Sequence, residues 1–566
     1  MSSIVTSILS STVGLLWNKA RDTTAKKMKD GDITDAKLRE IVVRELNDVK
    51  IKIDGLSRKD LLSSYSFLQE GVQLLNVSLD KSKDKQKAVQ SETQDDRGET
   101  SRMTSGDESA DILNKALELS HAMGKLKIVS SESESAKKRF EEARKTATHA
   151  FCNEALNIQD RIFAAKLRVV SEILECLDNP DTAITSCLLF LEKLHDLPAV
   201  REIFSVYLGG GVKSIFSKAE RVENVKSVMM INYVLYQFVS KFSSKYCSAL
   251  AWPTIQLSDR SFNPICSWQE VSTRKSWGEE LIQPPNKVNL DINIEVFNTA
   301  VNSRGEIVVW DDNNIEIISR TGERKVVHQF SVPSTENKEG EVIKQEIVGL
   351  ALDQENNVYV VLFCETTSQN GNVDSHAVLY ILDEHCNRVK HKSKLDFLPE
   401  HKIGLTLAIN KNNNIVMASI IFHHRHVYVC DHTGQLRYKL EPEISGLYYA
   451  SVSDNNEIIL ASPLYLNDAA DVAEIYTEEA NLKSKICLPA GHLICGVAFH
   501  FVIRKIIVLT TVRDSDSCFL HRYSETGELE TSMFGFNFSG DRIPHITSHP
   551  SGPVAIATEG GNIFYV

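Results

Sequence analysis

The sequence predicts an α+β multidomain protein in which an all-α N-terminal half, built of helical bundles or hairpins, is followed by a C-terminal six-bladed β-propeller. Two observations carry this prediction. Apolar residues recur at three- and four-residue spacing over most of the first 250 residues, which is the helical period. A motif about fifty residues long then recurs six times up to Val566, and repetition at this period is typical of propeller blades or repeat arrays.

The N-terminal segment, residues 1–79, reads as helical. Its first residues, MSSIVTSILSSTVGLLW, carry their basic residues after the apolar stretch, which is unlike a secretory signal, and they are too short to cross a bilayer. A helix packed on its neighbour is the favoured interpretation. The alternative is a weak membrane-surface contact through residues 1–20, with Trp17 as an anchor. As a helix, this stretch places one set of residues on a single side: Ile4, Val5, Ile8, Leu9, Thr12 and Leu16.

Residues 80–110 predict a disordered linker, because the stretch has almost no large apolar side chain to bury. Residues 111–250 predict a helical domain of stacked hairpins. Its clearest signal is a stripe of alanine and phenylalanine from Phe140 to Ala155, and Pro180 and Pro198 separate the helices that follow.

Residues 251–285 contain four prolines and three tryptophans and predict a connector that packs against the segment after it. The propeller is predicted over residues 286–566. Each of its six copies opens with a small residue, a polar turn and an apolar triplet; the opening residues are Ala300, Ala351, Ala408, Ser451, Ala498 and Thr547.

Each copy continues with a third strand and, in five copies, with a turn and a polar fourth strand. Gly322, Gly434 and Gly527 supply the positive φ that such a turn needs, and Asn387 and Asn481 are expected to do so in two further copies. The sixth copy stops after its third strand at Val566. We therefore expect the alternating strand from about Val288 to Val296, or one shortly before it, to close the ring as the missing outer strand.

The blade pattern resembles NHL repeats, whose strands follow the form V-x-V-x-D/S-x-x-G. The matching segments are Val427–Gly434 and Ile315–Gly322, and the resemblance extends over about 270 residues. It implies a propeller like that of tripartite-motif proteins, where the ring is a docking platform for protein or RNA. A RING or B-box domain needs paired Cys and His ligands near the N-terminus, whereas the first cysteine here is Cys152. Ubiquitin ligase activity is therefore not implied.

Charge and cysteine content narrow the partner classes. A net charge of −12 argues against nucleic acid as the main partner, because phosphate contacts need a concentrated basic surface. The 11 cysteines include no C-x-x-C pair, which favours reduced thiols in a cytoplasmic protein over a disulfide framework.

No residue set identifies an activity, and we assign no catalytic, cofactor-binding or metal-binding residue and expect no cofactor. His423, His424 and His426 are the densest histidine group, but an exposed turn explains them better than a metal site. Acidic loops at Asp311-Asp312 and Asp514-Ser515-Asp516 lack the ordered ligands of calcium loops. Gly209–Ser214 is not a phosphate-binding loop, because Val212 separates glycine from lysine.

These observations favour a non-enzymatic interaction or scaffold protein. The propeller would be the docking surface for protein partners, and the helical half would serve assembly or oligomerisation. Two alternatives stay open: a metal-dependent hydrolase or lyase with its site in the propeller channel, and an RNA-binding protein that uses a basic face of the ring.

Overall fold

We describe the fold from a computed structural model of the 566-residue chain. It describes residues 59–92, 131–209, 218–243, 248–272, 286–290, 299–311, 313–319, 323–330, 342–367, 373–419, 426–444, 449–462, 472–512, 515–538 and 544–566, with a few positions before residue 47. The chain forms two compact units. The first comprises Met1–Cys247 and Trp252–Pro285, and the second comprises Ser248–Ala251 and Asn286–Val566.

The first unit is mainly helical. Its described helices are α1 (Lys59–Glu92), α2 (Ser131–Cys152), α3 (Ile158–Glu175), α4 (Pro180–His195), α5 (Pro198–Gly209), α6 (Lys218–Phe242) and α7 (Trp268–Ser272). The alanine-phenylalanine stripe of α2 is buried against α1, where the Phe140 ring lies over Gly71. Asn157 caps α3 by accepting a hydrogen bond from the Asp160 amide, and Pro180 begins α4 in the first turn, where its missing N–H is harmless.

Helix α1 continues to Glu92, past Asp80, where the sequence indicated that a linker begins. The extra residues are polar, but lysine, glutamine and alanine all have high helix propensity, so a turn can continue without burying apolar surface. The rest of the predicted linker, residues 93–110, lies outside the described residues.

The connector was expected to pack on the segment after it, and its described residues, 251–272, pack on the helix before it. The segment contains a two-stranded hairpin of β1 (Ile255–Gln256) and β2 (Ser261–Phe262), followed by α7. Its two described tryptophans pack on the preceding helix α6: the Trp252 ring lies 5.2 Å from that of Tyr236 and the Trp268 ring lies 5.5 Å from that of Tyr233. Trp277 lies outside the described residues. The Trp252 indole N–H also donates to Asn232 Oδ1 at 2.8 Å. Burying large rings against an aromatic helix face explains this preference.

The second unit is the six-bladed β-propeller. Its first strand, β3 (Lys287–Asn289), precedes the blades. Blade 1 contains β4 (Thr299–Val301), β5 (Ile307–Trp310), β6 (Asn314–Ile318) and β7 (Arg324–Gln329). Blade 2 contains β8 (Val342–Leu352), β9 (Val358–Thr367), β10 (Val373–Leu382) and β11 (Val389–Lys394). Blade 3 contains β12 (Leu405–Ile409), β13 (Ile415–Ser419), β14 (Val427–Cys430) and β15 (Leu436–Leu440).

Blade 4 contains β16 (Tyr449–Val452), β17 (Ile458–Ala461), β18 (Val472–Tyr476) and β19 (Leu482–Cys487). Blade 5 contains β20 (His492–His500), β21 (Lys505–Val512), β22 (Ser517–Tyr523) and β23 (Leu529–Asn537). Blade 6 contains β24 (His545–Ser548), β25 (Val554–Ala557) and β26 (Asn562–Tyr565), with β3 as its outer strand.

The ring is closed. Each inner strand contacts the inner strand of the next blade, and β24 contacts β4. The predicted closing strand is confirmed, although it is short: Val288 of β3 pairs antiparallel with Ile563 of β26. Apolar residues from facing blades form the cores between them, as in the layer that joins Val308 and Ile315 of blade 1 to Val360 and Leu362 of blade 2.

Six equivalent turns connect the first and second strands of the blades, and they lie at one end of the ring, which we call the turn face. Each contains one residue with positive φ, namely Gly305, Asn356, Asn413, Asn456, Arg504 and Gly552. The turns between third and fourth strands use the same conformation at Gly434 and Gly527, as predicted, whereas Gly322 lies outside the described residues. In the copies that lack glycine, Cys386 and Ala480 adopt it, and the expectation for Asn387 and Asn481 was wrong. The conformation is needed at a fixed position of the turn, one residue before those asparagines.

The described positions of the N-terminal segment bury their side chains. Ile8, Leu9, Thr12 and Val13 are helical and at most 4% exposed. This placement agrees with a helix packed on its neighbours. None of the helices in the described part of the chain combines the length and apolar character that crossing a bilayer requires.

Candidate functional site

The central channel of the propeller is the first place to look for a site. Residues from the inner strands of all six blades line it, and the empty space, including the part open to solvent, is about 790 Å³. The described lining consists of apolar and uncharged polar side chains. Its polar members are Thr299, Thr406, Tyr449, Ser451, His545, Thr547 and Ser548.

His545 is the only histidine of this described lining, which contains no aspartate, glutamate, lysine or arginine. Its Nδ1 lies 3.2 Å from the Thr299 hydroxyl, and its ring lies 6.0 Å from that of Tyr449. Burial deep in the ring lowers the pKa of His545 to about 4, so the imidazole is neutral at pH 7.

A metal-dependent hydrolase needs several charged or imidazole ligands that converge on the axis. The described channel lining offers one imidazole and no carboxylate. Throughout the described residues, no group of three or more His, Cys, Asp and Glu side chains is placed to hold a metal ion. The channel geometry therefore lends no support to the hydrolase alternative.

The candidate residues weighed from sequence take structural places or fall outside the description. Asp311 stabilises its own turn by accepting hydrogen bonds from the Asn313 and Asn314 amides at 3.1 and 2.8 Å. His426 Nδ1 lies 3.5 Å from Glu441 Oε1. Gly209 ends α5. His423, His424, Asp312, Asp514 and residues 210–214 lie outside the described residues.

Polar side chains on the turn face bind mainly to one another across blade boundaries. Asn356 donates to the Ser303 hydroxyl at 2.7 Å, which links blades 1 and 2. Asn455 donates to Glu525 Oε2 at 2.9 Å, which links blades 4 and 5. His549 Nε2 of blade 6 lies 2.9 Å from the Asp353 carbonyl oxygen of blade 2. These bonds fix the ring and leave fewer polar groups for a ligand.

Blade 2 rises above its neighbour at the end opposite the turn face. Its first three strands have 11, 10 and 10 residues, whereas those of blade 3 have 5, 5 and 4. The surplus residues lie away from the turn at Asp353–Asn357, because Leu352 pairs with Val358 beside that turn and Val342 pairs with Thr367 at the far end.

The raised part of blade 2 carries an open groove, which we call the blade-2 groove. Gln345, Thr366, His376, Tyr380, Lys392 and Lys394 line it, and its described lining contains no carboxylate. The Lys392 ammonium lies 4.9 Å from the centre of the Tyr380 ring, with no ion-pair partner among the described residues. Lys394 pairs with Asp396 at 3.0 Å on the rim.

One polar atom in the groove lining has no partner. The Nδ1 atom of His376 is buried and makes no hydrogen bond with the described residues. A buried polar atom without a partner costs free energy, so it marks a place where a ligand or a water molecule can add a hydrogen bond.

The sequence analysis missed this groove, although β11 carries a signal for it. The strand reads VKHKSK and has three lysines and no acidic residue in a chain of net charge −12. Lys392 and Lys394 are two residues apart and point to one face, whereas Lys390 lies at a register shift and donates to Asn357. A purely structural interpretation is that the lysines protect an edge strand from pairing with other chains. Only the extension of blade 2 distinguishes the groove from such an edge.

Comparisons with known proteins leave the family open. No protein-family model matches the chain, and no curated protein matches it. Solved propeller structures do match the C-terminal half. The PQQ-bound aldose sugar dehydrogenase from Streptomyces coelicolor is 12% identical, with a TM-score of 0.32, 49% of this chain covered and 96% of that chain. The WD40 domain of Toxoplasma gondii coronin is 8% identical, with a TM-score of 0.32 and 50% and 83% covered.

A further match is BBS1N in complex with ARL6DN, at 15% identity and a TM-score of 0.29, with 47% of this chain and 77% of that chain covered. Similarity at these levels identifies no function. The C-terminal region is a six-bladed propeller by its own strand pairing, and membership among NHL proteins stays a prediction.

Proposed function

We propose that the protein is a non-enzymatic interaction protein whose propeller docks a protein partner, and that the blade-2 groove receives an acidic segment of that partner. The groove carries this proposal, because it is a cation-lined, carboxylate-free surface in a chain of net charge −12. An acidic protein repels acidic partners at long range, so a local basic surface is the place where it would bind one.

The groove also offers the backbone of an edge strand. β11 pairs with β10 on one side, and no strand pairs with its other side among the described residues. An extended peptide can add to such an edge through main-chain hydrogen bonds, while side chains of the strand select its sequence. The exposed ammonium group of Lys392 would then select glutamate or aspartate.

The ring is a suitable scaffold for docking. Hydrogen bonds between blades hold the strands in place, and a rigid scaffold positions a binding surface at low entropic cost. We propose assembly through the helical unit as its complementary role. We also place the protein in the cytoplasm. The described cysteines are all free, in keeping with a reducing compartment.

The test is binding of a fluorescein-labelled short poly-glutamate peptide to the full chain, followed by fluorescence anisotropy. We expect saturable binding that weakens as salt is added. Lys392→Glu should weaken it about tenfold, equivalent to about 1.4 kcal/mol. Labelled poly-lysine is attracted to the acidic chain as a whole, so Lys392→Glu should not weaken its binding.

Blade 3 provides a matched control. Lys439 of β15 pairs with Tyr428 of β14, and its ammonium lies 5.4 Å from the centre of that ring. Lys392 and Tyr380 are paired in the same way in blade 2. The neighbouring strands are short there. Lys439→Glu makes the same change of charge and should leave the affinity for poly-glutamate within about twofold of the wild-type value.

Equal losses of affinity in the two variants would show that net charge alone matters. Tighter binding of poly-uridine RNA than of poly-glutamate would favour the RNA-binding alternative. Either result contradicts the proposal.

A further inference from the structure

A polar chain crosses blade 5 and contacts all four of its strands. It consists of His492 in β20, Thr510 in β21, His521 in β22 and Ser532 in β23. Such a chain is unusual inside a blade, where neighbouring positions such as Val497 and Val508 are apolar and buried. Thr510 and His521 are themselves fully buried, whereas His492 is half-buried.

Three atoms of this chain converge. His492 Nδ1 lies 3.2 Å from His521 Nε2, and the Thr510 hydroxyl oxygen lies 2.9 Å from the first and 2.7 Å from the second. In a metal site with bonds of about 2.1 Å and angles between 90° and 109°, two ligand atoms are about 3.0–3.4 Å apart. The two imidazole nitrogens fall inside that range, and the hydroxyl lies just below it.

The surroundings favour the tautomer of His521 that a metal site requires, with the proton on Nδ1. Its Nδ1 lies 2.7 Å from the Ser532 hydroxyl oxygen. When Nδ1 carries the proton and donates to Ser532, the lone pair of Nε2 accepts a hydrogen bond from the Thr510 hydroxyl, 2.7 Å away, which a bound ion would replace. A hydrogen bond to the second ring nitrogen is the usual way in which proteins orient a metal-binding histidine.

His492 is held on its other side by an aromatic contact. Its ring meets the edge of Phe519 with a centroid distance of 4.9 Å. The half-buried position gives an ion access from solvent without unfolding the blade. The site is separate from the central channel. His521 lies opposite Val508, and Val508 packs in the core shared with blade 4.

We propose that His492, His521 and Thr510 form a binding site for a divalent transition-metal ion such as zinc, with the two neutral imidazoles as its main ligands and the hydroxyl as a weak one. No third His, Cys, Asp or Glu joins this group within the described residues. Water would complete the coordination, so the site is open, and micromolar affinity is expected rather than the tight binding of a four-ligand structural site.

Zinc titration of the chelator-treated full chain by isothermal calorimetry tests the proposal. We expect one zinc ion per chain and a higher melting temperature with zinc present, because an ion that binds only the folded state stabilises it. His492→Ala should remove this binding, with an affinity loss of about 100-fold. Because His492 is half-buried, the variant should fold; its melting temperature without zinc checks this.

Two further variants make the outcome decisive. Thr510→Val keeps the shape of the side chain but removes the hydroxyl, and it should weaken binding about tenfold. His432→Ala removes an exposed histidine on blade 3 and should leave binding unchanged. If the wild-type chain binds no zinc, or if His492→Ala binds it as tightly, the four residues form only a hydrogen-bonded chain and the proposal is wrong.

Discussion

At the scale of single residues, the turns between third and fourth strands show the cost of a repeated backbone shape. In the four such turns that are fully described, the fourth residue has positive φ: Cys386, Gly434, Ala480 and Gly527. Glycine adopts this conformation freely, but Ala480 does so with φ of 68° and Cys386 with φ of 57°. For an L-residue with a Cβ atom the left-handed region costs about 1 kcal/mol or more. The surrounding strands hold these two residues there.

Ala480→Gly should therefore stabilise the propeller by about 0.5–1 kcal/mol. The gain comes from removing the strained Cβ and exceeds the small loss of apolar contact at a partly buried methyl group. Urea unfolding followed by circular dichroism measures it. Ala473→Gly makes the same change in β18 and should destabilise by about 1 kcal/mol, because strand backbone does not need glycine. Equal destabilisation in both variants would refute the strain argument.

The same residues show where sequence reasoning stops at this scale. Glycines at 434 and 527 fixed the position of the turn, so the turn itself was predictable. The residue that takes the special conformation in the other copies was not. Asparagine tolerates positive φ better than alanine does, which made Asn481 the better guess from propensity. Strand register decided otherwise, since tertiary pairing outweighs a local preference of about 1 kcal/mol.

At the scale of elements, three helices of the first unit are joined by a charged network. Arg144 of α2 donates from Nε to Glu175 of α3 at 2.6 Å and lies 3.6 Å from Glu172. Arg168 of α3 lies 3.5 Å from Glu172, and its guanidinium stacks 4.1 Å from the Phe190 ring of α4. Glu172 is only 6% exposed, so its charge depends on these partners.

Arg144→Met should destabilise the helical unit by about 2–4 kcal/mol, because it leaves Glu175 without its partner and Glu172 with Arg168 alone in a partly buried place. Arg201→Met is the matched control. Arg201 pairs with Asp196, whose side chain is 69% exposed, and an exposed pair contributes about 0–1 kcal/mol. Chemical unfolding of the two variants measures the difference. Similar losses would show that the network adds nothing beyond a surface pair.

Helices and strands were largely predictable because the spacing of apolar residues in the local sequence differs between the two. The stripe at Phe140 and Ala143 identified α2, and the six apolar triplets identified the second strands of the blades. The packing partner of Trp252 was not predictable, since a periodic pattern shows which face is buried but not what covers it. The blade-2 groove and the His492–His521 pair depend on strand length and register, so they appear only when the strands are paired.

At the scale of the whole propeller, closure depends on three residues from the start of the domain. β3 pairs with β26, and the register of this pairing shows which N–H groups of β3 point toward β26. The Leu290 amide donates to the Gly561 carbonyl and the Tyr565 amide donates to the Asn286 carbonyl, each at 2.9–3.0 Å. Hydrogen-bonded pairs alternate along antiparallel strands, so the Val288 amide points toward Ile563, whereas the Lys287 amide points to the open edge.

Val288→Pro should therefore open the ring, while Lys287→Pro should be tolerated. Proline at Val288 removes a donor that blade 6 needs and should cost about 2–3 kcal/mol. Proline at Lys287 removes a donor that no strand uses, and proline is accepted at such edge positions. The expected result is a clear fall in the melting temperature of the propeller and faster proteolysis of blade 6 for Val288→Pro alone. Equal melting temperatures for the two variants would mean that β3 does not hold the ring closed. The sequence suggested this closure from an unpaired third strand, and the register now identifies the Val288 amide as the donor at the centre of the pairing.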